Sequence, residues 1–442
     1  MPSATTLLAP VAGILVVALF APQQSDKFVG DRCAGRRQPE CDEETLKLVR
    51  NHSLVHIGGQ HRGGTTLLWR VLRAHPAVAS HGHAAGESAN DPRALHGEGL
   101  FLQNVYPRLS LDHPPAFFMW KRLHRWYCAA LALTPASVAG AAPCRLREGI
   151  GSYALSGASN LGADHPLASH ASSLRLFAQW TVHWEQEQGE DYSGRLDGKA
   201  GGGGMRRPLL LEKSPSNALT CGMLAAGWAA LGSRGTTRFI FVTRHPVMQA
   251  KAMHAFVDDL TISQLVENWL AIEEAVRARA AHLPRSAVAL LSLEALAARP
   301  RPTVEGLLRW MGVPGWSAGD AAAAVEERSR APFAPSSAEV LDADAFGASE
   351  PAAPAAAFWE EAEAAAWLQA VREDPNARYA AEYEAQLRAD AEARAAHEAM
   401  VVAYEARVGA VSGYDLGRPE RYRQPPERTS EWLRGWLARA GK

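Results

Sequence analysis

The chain has 442 residues, 47% of them hydrophobic, which is enough for one large domain or two smaller ones with a buried core. With 46 basic and 47 acidic residues its formal net charge is −1. That balance excludes a whole-molecule field drawing in nucleic acid or an anionic lipid surface, but not a local basic pocket. The amino-terminal segment 1–21 ends in an uncharged apolar run, Leu7 to Ala21. It is shorter than the roughly 20 residues a spanning helix needs, and suits the apolar part of a signal sequence. No basic flank precedes it and Pro22 follows Ala21. An uncleaved signal-anchor is expected here, with a cleaved signal peptide and a merely apolar tail as alternatives. A polar stem over 22–50 follows.

The chain carries 5 cysteines: Cys33, Cys41, Cys128, Cys144 and Cys221. An oxidising compartment permits a Cys33–Cys41 disulfide, with Cys128–Cys144 as the next pairing and Cys221 left as a buried thiol. Asn51-His52-Ser53 is a glycosylation sequon, which suits a secretory-route protein. No cysteine spacing resembles a zinc site.

Beyond the stem the pattern changes. Leu54 to Ile57 is a short apolar run ending in glycines, and Leu67, Leu68, Val71 and Leu72 then share one helical face. That predicts strand, glycine turn, helix. Residues 90–142 read as loops with short helices, and Leu174 to Gln188 reads as a helix. The "DGKAGGGGMRR" stretch from Asp197 to Arg207 reads as a flexible insertion. "PLLLEKSP" from Pro208 is a buried strand running into a polar turn, and "TRFIFVTRHP" from Thr237 repeats the design. Leu260 to His282 has helical spacing, and Val288 to Leu293 is a further strand. Such alternation predicts an α/β fold with a central, mostly parallel sheet flanked by helices. Ligands of these sheets collect at the carboxyl ends of the strands, where the three polar turns fall. Residues 356–410 favour helix and are rich in Ala and Glu, so the end of the chain is either packed helix or a compositionally biased insertion.

The first turn, "GGQHRGGTT", comes close to the phosphate-binding pattern G-x-x-x-x-G-K-[ST], with Gly64 where that pattern has its lysine. Glycines between a strand and a helix let backbone N–H groups point at an anion. Thr65 and Thr66 add hydroxyls and Arg62 a permanent charge. The bland alternative is an ordinary strand-to-helix turn.

The run "GGQHRGGTTLLWRVLRAHPAV" resembles the 5′-phosphosulfate loop of sulfotransferases, above all the branch with P-R-S-G-T-T ahead of a helix and a His-Pro pair, here His75-Pro76. The resemblance implies a P-loop-like three-layer domain over 51–335, followed by a helical region over 336–442. It implies that Arg62, Gly63, Gly64, Thr65 and Thr66 hold 3′-phosphoadenosine-5′-phosphosulfate (PAPS) as co-substrate, without a metal. Sulfuryl transfer has no metal-bridged γ-phosphate, so the missing lysine is no obstacle. "LLLEKSP" matches the block whose lysine, here Lys213, stabilises the transferring group. A surface Glu212–Lys213 pair is the plain alternative. "FIFVTRHPVMQAKAM" resembles the 3′-phosphate block, with Arg244 as its ligand. The family pattern has Ser eight residues on, where this chain has Ala252, so Lys251 or His254 would have to compensate.

A base must accept the proton of the acceptor hydroxyl. Counting from Arg62, the catalytic Glu of the tyrosylprotein branch falls on His83. "EGLFLQNVYP" resembles an acceptor-site stretch common among sulfotransferase-like proteins and marks Glu98. His83, Glu98 and Glu87 are the candidates in that order. "LLSLEALAARP", with Glu294, and "SGYDL", with Tyr414, read as structural. The expected activity is transfer of a sulfuryl group to a hydroxyl of a glycan, protein or small molecule, in the Golgi lumen behind the membrane anchor. Two rivals are a Golgi glycosyltransferase using Asp342-Ala343-Asp344 and a non-catalytic nucleotide-binding relative.

Overall fold

The computed structural model describes residues 37–75, 77–81, 98–100, 102–106, 161–186, 209–233, 235–255, 260–313, 368–369, 371 and 376–425. Four apolar runs, each too short for a helix, form parallel strands with a three-residue fifth. They are β1 (Ser53–Gly59), β2 (Val78–Ser80), β3 (Leu209–Lys213), β4 (Thr237–Thr243) and β5 (Val288–Ser292). The sheet order is β2-β3-β1-β4-β5, and every pair is parallel. From β1 the chain winds outward to β2, returns through β3, and crosses β1 to reach β4 and β5. The winding therefore reverses at β1, and the carboxyl end of β1 is a topological switch point, the place where open parallel sheets bind ligands.

Strand residues alternate between two cores, as the pleat requires. Leu54, Leu210, Phe239 and Phe241 pack on one side, with α1 (Gln38–Asn51), α3 (His170–Gln186), α4 (Asn217–Ala230) and α6 (Ile262–Ala280). Val55, Ile57, Leu211, Ile240, Val242 and Leu291 pack on the other, with α2 (Thr65–Arg73), α7 (Leu293–Ala298) and α8 (Pro300–Met311). The result is helix, sheet, helix in three layers. A third core joins α5 (Pro246–His254) and α6 to α9 (Ala377–Ala389), α10 (Ala391–Ser412) and Tyr422. The Ala/Glu-rich end of the chain is thus packed helix over these residues.

The folded body starts earlier than the polar composition of the stem suggests. In α1, Cys41, Thr45, Leu48 and Val49 are buried, one stripe at helical spacing among charged neighbours. Cys41 is disulfide-bonded and Cys221 is a free, buried thiol; Cys33, Cys128 and Cys144 lie outside the described residues. Asn51 closes α1 and Ser53 opens β1, so the sequon spans a helix-to-strand joint. No helix among the described residues is long and apolar enough to cross a membrane, and segment 1–21 lies outside them.

Candidate active site

The loop after β1 is shaped by what its glycines touch. A Cβ on Gly58 would lie 2.6 Å from the Ala218 nitrogen. Gly59 has φ +137° and its Cβ would lie 2.1 Å from the Val242 carbonyl oxygen, so only glycine fits. Past this point the loop's carbonyls are tied away one by one. The Gly63 N–H donates to Gln60 O at 3.0 Å, Gln249 Nε2 to His61 O at 2.8 Å, and Arg244 Nη1 to Arg62 O at 3.0 Å. Gln60 reaches across to Trp269 O at 2.9 Å through its side-chain amide. Gly64, at φ +102°, is the N-cap of α2 and gives it no side-chain cap. The first N–H groups of a helix have no intrahelical partner, so those of Thr65 and Thr66 are available to an anion. Thr65 is buried and Thr66 exposed. Arg62 is exposed and holds φ +61°, unusual for a residue with a side chain.

Cations converge on this loop. His61 is buried, and its pKa is pushed well below the usual histidine value by burial first, then by the Lys213 ammonium and the Arg62 guanidinium. Burial also lowers Arg244, against the pull of Glu294 and Tyr379, and Arg62 adds a smaller push the same way as burial. Arg244 bonds the Arg62 carbonyl and Lys213 acts on the His61 ring, so side chains from three separate turns bear on this loop.

At the end of β3, Glu212 and Lys213 are both buried and face opposite sides of the sheet, not a surface pair. Lys213 hydrogen-bonds Glu98 Oε1. Glu98 is buried, and its pKa is raised by burial first and next by the charge of Glu212, against the opposing pull of Lys213. Its other oxygen, Oε2, has no partner among the described residues. On the other face Glu212 accepts from Gly99 N at 2.8 Å, Ser214 Oγ at 2.6 Å, His56 Nδ1 at 3.1 Å and Asn217 Nδ2. Of the three base candidates, the structure brings Glu98 to Lys213; His83 and Glu87 lie outside the described residues.

At the end of β4, Arg244 is buried. Its Nε donates to Asn376 Oδ1 at 2.7 Å and its guanidinium lies 5.1 Å from the Tyr379 ring centroid. Ala252 is wholly buried, while Lys251 faces Gln386 and Tyr383 and His254 bonds Leu260 O. None of these contacts involves Arg244 or the loop. Glu294 is buried and accepts from His245 N at 2.9 Å, Asn376 Nδ2 at 2.7 Å and Tyr414 Oη at 2.6 Å. The sequence reading missed Glu212, Ser214 and Asn376. The first two sit beside Lys213 in a recognised motif and were legible; Asn376 has no such flag. Among the described residues no group of His, Cys, Asp or Glu is arranged to hold a metal. Asp342 and Asp344 lie outside them.

No family model matches the chain, and no curated protein does. Among solved structures, the sulfotransferase domain of the Synechococcus PCC 7002 olefin synthase aligns with 15% identity and a TM-score of 0.29, over 67% of this chain and 94% of that domain.

Proposed function

We propose that the chain is a PAPS-dependent sulfotransferase acting on a hydroxyl acceptor. The observation that supports it is a glycine loop at the switch point of a parallel sheet, its carbonyls tied back and one of them, Arg62 O, held by the Arg244 guanidinium. Such a place favours a multiply charged, phosphate-bearing ligand. The uncapped amino end of α2 and Arg62 would take the 5′-phosphosulfate. Arg244, which bonds the loop, would meet the 3′-phosphate.

In the transfer, Glu98 takes the proton of the acceptor hydroxyl. The acceptor oxygen bonds to sulfur while the bond from sulfur to the bridging phosphate oxygen breaks, and 3′,5′-ADP leaves with that electron pair. Lys213 steadies the charge that grows on the leaving oxygen, a contribution of about 10²–10³ in rate for one well-placed donor. Burial raises the pKa of Glu98 toward the range where a general base works best. The acceptor class, a glycan or secreted protein in the Golgi lumen, follows from reading segment 1–21 as an anchor.

The test has two arms. Thermal stabilisation by 3′,5′-ADP is compared with stabilisation by a UDP-sugar plus Mn²⁺, and ³⁵S transfer from PAPS is measured on a mixed glycan and peptide panel. Stabilisation by 3′,5′-ADP together with label transfer supports the assignment. Binding without transfer selects a non-catalytic relative, and stabilisation by the UDP-sugar alone selects a glycosyltransferase.

A further inference from the structure

We infer that Glu212 and Ser214 are positioning residues that clasp the Glu98–Gly99–Leu100 turn, so that the Glu98 carboxylate is presented to the Lys213 ammonium. Strand alternation is the basis. Glu212 and Ser214 project to one face of β3 and Lys213 to the other. The tripeptide Glu98-Gly99-Leu100 is gripped from both sides. Gly99 N donates to Glu212 Oε1 at 2.8 Å, Leu100 N donates to Ser214 Oγ at 3.0 Å, and Glu98 meets Lys213. Trp180 Nε1 holds the remaining polar group, Gly99 O, at 2.9 Å. Both polar groups of the Gly99 backbone are therefore fixed.

The grip is close enough to dictate the residue. A Cβ on Gly99 would lie 2.7 Å from both Glu212 Cγ and Oε1, so the glycine is what lets the carboxylate reach the backbone. The turn is closed on itself as well. Gln103 Nε2 donates to Leu100 O at 3.1 Å, and Gln103 Oε1 accepts from Val105 N and Tyr106 N at 2.6 and 2.8 Å. Every contact made by Glu212 comes from a donor: an amide N–H, a hydroxyl, an imidazole nitrogen in its donating tautomer and a side-chain NH₂. An acceptor-only carboxylate satisfies all of them and an amide cannot. Among the described residues no Lys or Arg bonds the Glu212 carboxylate, and burying a carboxylate in that way is costly, so its justification is placement. The two short motifs, E-K-S and E-G-L, are two halves of one device.

The kinetic part of the test rests on the sulfuryl-transfer proposal, and the exchange part does not. The full chain is prepared as wild type, Ser214→Ala, Glu212→Gln and Val276→Ala, the last a core truncation that serves as a stability control. In Ser214→Ala and Glu212→Gln, amide exchange at Gly99 and Leu100 is expected to rise about 10-fold or more, while Val276→Ala leaves it unchanged. Their kcat for transfer from PAPS is expected to fall about 10-fold and about 100-fold, with KM for PAPS and stabilisation by 3′,5′-ADP unchanged, since the 58–66 loop is untouched. Exchange no faster than in the control overturns the inference. So does a kcat loss matched by a control of equal thermal stability. If Glu212→Gln fails to fold, Ser214→Ala decides alone. If wild type transfers no sulfuryl group, the proposed function fails and the exchange arm still decides the clasp.

Discussion

Arg62 does two things that substitution can separate. Its guanidinium brings charge to the loop, and its backbone holds φ +61°, where a side chain is strained. Arg62→Ala and Arg62→Gly remove the same charge, so both should weaken 3′,5′-ADP binding by about 1.5–3 kcal/mol. Only glycine relieves the backbone, and Arg62→Gly should be more stable than Arg62→Ala by about 1 kcal/mol. Isothermal titration with parallel urea denaturation checks both; equal stabilities would deny the strain. The Lys213–Glu98 pair has a pH signature of its own. Burial raises Glu98 above the ordinary carboxyl value of 4.5, so the folded state holds this proton more tightly than the unfolded chain does. Stability then falls as pH rises from the unfolded value through the folded one, and Lys213 limits that fall. Lys213→Met removes the limit. Its stability should match wild type more nearly at about pH 5 and lie about 3–5 kcal/mol below it by about pH 8. Adding Glu98→Gln to Lys213→Met should flatten the profile. A Lys213→Met deficit that does not grow with pH would mean that Glu98 is not the titrating partner.

The turn elements depend on backbone fit as much as on charge. Gly63 stands where the resembling loop has serine, yet a Cβ there would lie 2.8 Å from Gln60 O and 3.3 Å from Val242 O. Gly63→Ser should therefore destabilise the chain by about 1–3 kcal/mol although it introduces the serine of that loop. A chemical-denaturation midpoint at or above wild type would refute that. Strands β1, β3, β4 and β5 were legible because short apolar runs ending in polar turns have few other solutions. Strand β2 was not, since Val78–Ser80 is too short to show a period. Helix α4 was missed for the opposite reason. Leu219, Cys221, Met223, Leu224 and Trp228 are all buried along with Ala218 and Gly222, so it lacks the polar face that gives a helix away. At the site, Lys213, Arg244 and Glu98 were legible because each sits in a short motif with a chemical reason. Asn376 was not, because its partners Arg244 and Glu294 are distant in sequence and the tract around it is compositionally biased.

At the scale of the molecule, Arg244 is a coupling element. One nitrogen bonds the Arg62 carbonyl in the loop and another bonds Asn376 at the start of α9. Asn376 also donates to Glu294 in the first turn of α7 and to Tyr422 O at 3.1 Å. Tyr422 and Tyr414 close on the His245 ring, at 4.4 and 5.1 Å between centroids. The end of β4, the first turn of α7 and the carboxyl-terminal helices thus meet at one side chain. A ligand that orders the loop acts on Arg244, and through it on Asn376 and α9. In wild type, saturating 3′,5′-ADP should slow amide exchange both in the loop and across Ala377–Ala389. Asn376→Ala removes three hydrogen bonds, two of them to charged groups, and should cost about 3 kcal/mol of stability. It should also confine the ligand's protection to the loop, since the bridge to α9 is gone. Protection of α9 that survives Asn376→Ala would show that the two regions communicate by another path, and that Arg244 binds both without linking them.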